Sequence, residues 1–224
     1  MNKKEIIQKV KEQINPEYIK YLVWYGNLAG NNVNVMAVID KRRTRVRPCE
    51  SPKSKLDILT IGKGEFQRRL RMLDPIITEP LITGFLLKGN EVKFGLLRSN
   101  TIISFSRVKE TAKAAAPFLL EKARARLKNA SQLLRASEQR NGDNLFSCLV
   151  NLSWACSYFE FAEYYGNSPG FVPITFAHLL AQDGEFALGE VMEVLKAVKL
   201  GREFSKDQVV NLFKKTQKML GVVN

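Results

Sequence analysis

Two apolar runs joined by a glycine turn set the tightest limit on what this chain can become. Residues 19–25 read IKYLVWY, residues 26–32 read GNLAGNN and residues 33–39 read VNVMAVI. Short runs rich in Val, Ile and aromatic side chains, bounded by Gly and Asn, favour strands. Gly26 and Gly30 allow the positive φ and close backbone approach that a tight connection needs. Val33 to Ile39 is apolar at nearly every position, as in a strand covered on both faces. A third run, LDILTI at 56–61, follows after a loop. Such a frame can hold a phosphate and a metal at one point. Turn amides freed from pairing form an anion-binding nest. Asn32 and Asn34 share one side of the second strand, and Asp57 reaches the same place if its strand lies alongside.

The residues around this frame complete an α+β pattern. Ile6, Ile7, Val10 and Ile14 recur at helical spacing over residues 3–14, and Pro16 ends that helix. Residues 63–73 read as a second helix, with Phe66, Leu70 and Leu73 inward and Arg68, Arg69 and Arg71 partly outward. Asp74-Pro75 is a break, residues 76–83 a short helix, and Phe85 to Leu87 a short strand closed by Gly89-Asn90. Residues 91–106 carry Val92, Phe94, Leu96 and Leu97, then Ile102, Ile103 and Phe105, which suggests two further strands.

These residues resemble the nucleotidyltransferases of the DNA polymerase β superfamily, most closely the minimal kind. The family's Gly-Ser pair falls on Gly26-Asn27, its Asp-x-Asp on Asn32-Val33-Asn34, and its third Asp on Asp57. The resemblance covers roughly the first hundred residues and implies a mixed sheet with helices, Mg²⁺ and a nucleoside triphosphate. The departures carry the functional expectation. In the two-metal mechanism, carboxylates hold the ions that neutralise the triphosphate and activate the attacking hydroxyl. Mg²⁺ favours anionic oxygen ligands, and Asn32 and Asn34 offer only neutral amide oxygens. Asp57 alone keeps a charge, so metal-dependent transfer is expected to be impaired. Asp40 shares parity with Asn34, but six strand residues span about 20 Å, so it is excluded as a ligand. Phosphate contacts are expected from Gly26, Asn27 and Gly30.

The charge balance points the same way. The 224 residues carry a net charge of +13, from 35 Lys and Arg against 22 Asp and Glu. Residues 1–100 hold 19 basic and 10 acidic residues, so most of the excess lies there. Basic proteins of this size favour polyanions, nucleic acid above all. The segment KRRTRVRPCESPKSK at 41–55 concentrates it, and Lys41, Arg42, Arg43, Arg45 and Arg47 are candidate phosphate contacts. A solvated charged hairpin is the plainer alternative. The three cysteines, Cys49, Cys148 and Cys156, form no CxxC, and there is one histidine, so a zinc site is not expected. No signal peptide or run of eighteen apolar residues is present, which leads to the expectation of a cytoplasmic protein with no membrane contact.

From about residue 107 the pattern is helical. Residues 108–139 read as one long helix with Pro117 as a kink or break, and Asn141-Gly142 as a turn. Asp143 caps a helix running to Tyr165. Shorter helices follow near 174–181 and 185–200, and Ser205 caps the last. The expected division is 1–106 for the sheet domain and 107–224 for an all-α bundle of four to five helices. A bundle in this place resembles the HEPN class, including the carboxyl-terminal bundles of antibiotic nucleotidyltransferases. The Arg-x4–6-His motif of HEPN ribonucleases is absent, and His178 reads as a packed residue. Trp154, Tyr158, Phe161 and Tyr165 form one helical stripe, expected in the core and alternatively in a homodimer interface. The expectation is nucleotide or RNA binding with impaired transfer. An active metal-dependent nucleotidyltransferase, and a non-enzymatic regulatory protein of the toxin–antitoxin kind, are the alternatives.

Overall fold

The computed structural model describes residues 2–25, 33–40, 56–102, 105–137, 143–167, 187–199, 202 and 204–221. The architecture is α+β: a mixed four-stranded sheet with helices, then a helical region. The chain divides into two compact units, with the main boundary between Ala114 and Ala115.

The first unit starts with α1 (Lys3–Gln13), opened by a capping box in which Asn2 and Glu5 satisfy each other's backbone amides. The strands are β1 (Ile19–Tyr25), β2 (Val33–Ile39), β3 (Leu56–Gly62) and β4 (Phe85–Lys88), in the order β3-β2-β1-β4. β1 runs antiparallel to β2 and β4, and β2 parallel to β3. As the apolar run 33–39 implies, β2 is central and buried at every position but Asn34. One face packs Leu22, Val35 and Ala37 against Ile6 and Val10 of α1. The other face, with Val23, Met36, Val38 and Ile61 buried, lies on the side of α2 (Lys63–Arg71) and α3 (Pro75–Thr83).

The link between α2 and α3 is where polar chemistry goes inside. Leu73, at φ 47, takes the left-handed position usual for glycine at a helix end. Leu73 N–H reaches Leu70 O, and Asp74 N–H reaches Arg69 O, a Schellman pair. Burial of the leucine side chain offsets the backbone cost. Asp74 then caps α3, accepting from Ile76 N–H at 3.1 Å, with Pro75 at the first helical position. Arg69 turns inward, correcting the outward expectation, because Asp74 Oδ2 at 3.2 Å and Glu65 Oε1 at 2.6 Å receive its guanidinium.

Glu65 also takes two bonds from Arg68, both at 2.8 Å. Arg68 foremost, then Arg69, hold its carboxyl at about 2, against an opposing desolvation effect. The folded value lies below the ordinary 4.5, so the fold prefers the carboxylate. Its contribution is full above about pH 5 and is lost as pH falls toward 2. Glu65→Gln is therefore expected to melt lower than the parent chain near neutrality. The two melting curves should converge in acid, and a gap that stayed constant with pH would refute the assignment.

Residues 91–102 correct the sequence reading. They form α4 (Glu91–Ile102), not strands. Asn90 accepts from Lys93 N–H at 2.9 Å and starts the helix. Phe94 packs on Tyr21, their ring centroids 5.8 Å apart. Val92 and Leu96, which imitate strand alternation, are 73% and 58% exposed. Arg98 stacks 5.3 Å from the Phe94 ring and donates to Leu81 O and Gly84 O.

The long helix α5 (Phe105–Ala136) continues through Pro117 without a break. In the second unit its later part packs on α6 (Asp143–Asn167). Arg126 Nη1 lies 3.3 Å from Asn151 Oδ1, and Cys148 Sγ 3.4 Å from Ala130 O. α6 in turn packs on α7 (Ala187–Lys199) and α8 (Lys206–Met219). Ser205 and Gln208 form a capping box at the start of α8. Tyr158, Phe161 and Tyr165 are buried inside this unit, as a helical core stripe should be. Trp154 is partly exposed, with the Arg126 guanidinium 6.0 Å from its ring. Burial pushes the Cys148 thiol up to about 12 and Cys156 to about 11, so neither is a nucleophile at neutral pH. The expected helix at 174–181, with His178, and Cys49 lie outside the described residues.

Candidate functional site

The sheet register brings three side chains into one row. Tyr25 on β1 pairs with Asn34 on β2, and Asn34 pairs with Asp57 on β3. Residues directly opposite one another in a sheet share a face. Tyr25, Asn34 and Asp57 therefore stand together, at the end of the sheet where β1 stops and β2 and β3 begin. The strand of Asp57 does lie alongside β2, in a parallel pairing that makes Asp57 the register partner of Asn34. All three are partly buried.

Two members of this neighbourhood were not legible as site residues. Tyr25 is the last residue before Gly26 and reads simply as the end of an apolar run. Its phenol is held well above the ordinary value, first by burial, then by the Asp57 carboxylate and then by Glu79. It is a neutral hydroxyl across the physiological range, able to donate one hydrogen bond. Glu79 comes from α3, twenty-two positions beyond Asp57, and only the fold brings it near the same phenol. Thr83 Oγ1 donates to Glu79 O at 2.8 Å and lies 3.5 Å from Glu79 Oε1.

Asp40 lies at the other end of β2. Its predecessor Ile39 pairs with Gly62, and its own N–H donates to Tyr18 O at 2.8 Å. The register thus bears out the exclusion of Asp40 by distance, even though it shares parity with Asn34. Gly26, Asn27, Gly30 and Asn32 lie outside the described residues, as do Lys41, Arg42, Arg43, Arg45 and Arg47.

The donor set fits Mg²⁺ poorly. Asn34 brings a neutral amide where a carboxylate would serve, and the row itself carries a single carboxylate, Asp57. Among the described residues no group of three or more His, Cys, Asp or Glu is placed to hold a metal ion. The row sets an amide, a carboxylate and a neutral phenol side by side at the sheet end.

Among solved structures, this chain has several likenesses. A nucleotidyltransferase-like protein from Exiguobacterium sibiricum superposes with a TM-score of 0.38 at 10% identity. The match covers 96% of this chain and 74% of the other. That overlap is too loose to establish a shared fold. No protein-family description and no curated protein matches the sequence. Among the described residues, no helix is long and apolar enough to cross a membrane.

Proposed function

We propose that the first unit is a nucleotidyltransferase-like domain that binds a nucleotide or RNA and has lost efficient transfer. The observation that carries the reading is the row Tyr25–Asn34–Asp57. The sheet is mixed, as the resemblance implies, and Asn34 and Asp57 are register partners at one end of it. Two of the three expected carboxylates are amides in the sequence, Asn32 and Asn34. Amides bind by hydrogen bonding and do not compete with phosphate charge. They therefore suit a site that holds a nucleotide without activating it. The excess of basic residues in 1–100, with Lys41, Arg42, Arg43, Arg45 and Arg47 beyond β2, supports a phosphate-bearing ligand.

Calorimetric titration with ATP, with and without Mg²⁺, tests this. Binding that is indifferent to Mg²⁺ and survives Asp57→Ala is the expected result. Titration with a short single-stranded RNA is the parallel arm, in which binding that weakens steeply with salt is expected. Failure of both ligands to bind would overturn the proposal. A second reading, a working transferase, has one observation in its favour: Glu79 acts on the same phenol as Asp57. Tight ATP binding that requires Mg²⁺ and is lost in both Asp57→Ala and Glu79→Gln would establish that reading instead.

A further inference from the structure

A second polar centre lies on the same face of the sheet, at the end opposite the Tyr25–Asn34–Asp57 row. A solvent-open cavity of about 250 Å³ is lined by three lysines, Lys20, Lys63 and Lys93, from β1, α2 and α4. Its floor is Tyr21 and Val38, which are neighbours in the sheet register. Phe66, Leu96 and Leu97 form apolar walls, and Gln67 and Asn100 add neutral polar groups. Among the described residues no carboxylate lines it. Four residues of strand, about 13 Å, separate Tyr21 from Tyr25.

Each lysine is placed by a local feature of the backbone. Lys20 is the extra residue of a β-bulge: Ile19 pairs with Ile39 and Tyr21 with Val38, leaving Lys20 without an opposite number. A bulge re-aims the side chain it carries. Lys63 is the first residue of α2, whose preceding Gly62 offers no side-chain cap. The helix N-terminus adds positive potential beside the ammonium. Lys93 lies in the first turn of α4, started by Asn90. Glu65, the acid nearest in sequence to Lys63, is already taken by Arg68 and Arg69. Burial, and then the neighbouring Lys63, hold the Lys20 amine below its ordinary value, and Lys93 adds to this while Asp40 opposes it. Three ammonium groups held together repel one another, with Asp40 offsetting this only in part at Lys20, and an anion among them relieves that repulsion. The apolar part is equally unfinished, because Leu96 is 58% exposed on the cavity wall.

We propose that this cavity is a binding site for a small amphipathic anion, a phosphate or carboxylate group carried on an apolar or aromatic body. The anionic group sits among Lys20, Lys63 and Lys93, and the body covers Tyr21, Phe66 and Leu96. The site is independent of the nucleotide reading, since it shares no residue with the row at the other sheet end.

The test is an NMR titration of the full chain with phenyl phosphate, benzoate and inorganic phosphate. Saturable shifts at Tyr21, Phe66 and Leu96 are expected. Phenyl phosphate should bind tighter than inorganic phosphate, and its margin over benzoate shows which anionic group the lysines prefer. Lys20→Met and Lys93→Met, which keep most of the apolar stem, should each weaken phenyl phosphate about tenfold. Lys9→Met on the exposed side of α1 should leave it unchanged. Leu96→Asn should weaken phenyl phosphate and spare inorganic phosphate. Lack of saturable shifts, or equal effects of Lys9→Met and Lys93→Met, would overturn the proposal. So would inorganic phosphate binding as well as phenyl phosphate. Any ATP-dependent shifts at Tyr25, Asn34 and Asp57 are read separately in the same spectra, so failure at one end of the sheet is distinct from failure at the other.

Discussion

Asp74→Ala is expected to destabilise the first unit by about 3–5 kcal/mol, the range for removing one partner of a buried ion pair. Asp74 is fully buried, and the Arg69 side chain is 10% exposed. Truncation leaves the guanidinium inside the protein, still paired with Glu65 but without the Asp74 charge. The same change removes the cap from Ile76 N–H at the start of α3, worth about 1 kcal/mol by itself. Asp74→Asn keeps the cap acceptor and loses the charge, so it should fall between the two. Urea denaturation followed by circular dichroism measures both variants. A loss for Asp74→Ala below about 1 kcal/mol, the scale of an exposed pair, would show that the pair is not buried as described.

Gly84→Ala is expected to cost about 3 kcal/mol, at the upper end of the range for overpacking. The reason is steric, because Gly84 has φ −82 and ψ 163, which any residue adopts. An added Cβ would meet the Pro80 carbonyl oxygen, Val23 Cγ1 at 2.5 Å and Trp24 O at 2.9 Å. Two of those neighbours are backbone, one at the end of α3 and one in β1, and neither yields as a flexible side chain does. Gly84 N–H also donates to Pro80 O, and Gly84 O accepts from Arg98, so the residue cannot simply move away. The expected result is a lower melting temperature with loss of β4 pairing. Hydrogen exchange at Leu86 and Lys88 would read that loss directly. A variant as stable as the parent chain would mean that β4 can shift outward without penalty.

The strands and the short helices were legible because their signals are local. Val33–Ile39 is apolar enough to require a central strand, and Asp74-Pro75 names a helix start through a cap and a missing N–H. α4 failed for an equally local reason. Val92, Phe94 and Leu96 alternate like a strand, yet only Phe94 of the three is buried. Exposed apolar residues at 92 and 96 give the wrong period, and Asn90, which reads as the close of β4, also caps the helix. Arg69 looked solvated because nothing in the sequence says that two acids, four residues before and five after, will fold around it. At the candidate site, Asn34 and Asp57 could be paired by order alone. Tyr25 needed the antiparallel register and Glu79 needed the packing of α3, and neither is a sequence-local property. The lysine cavity was invisible for the same reason: Lys20, Lys63 and Lys93 are scattered through a basic domain and converge only through a bulge and two helix starts.

The register of β1 on β2 is held by the α1 side of the sheet, where Leu22, Val35 and Ala37 pack with Ile6 and Val10. A slip of one residue would turn that whole set outward, so the alignment does not depend on the connection between the strands. Packing on that face, rather than any ligand, therefore keeps Tyr25, Asn34 and Asp57 in their places. Gain or loss of an acidic ligand in this scaffold is then a matter of single substitutions, each tolerated by a frame that was never relying on the charge for its assembly.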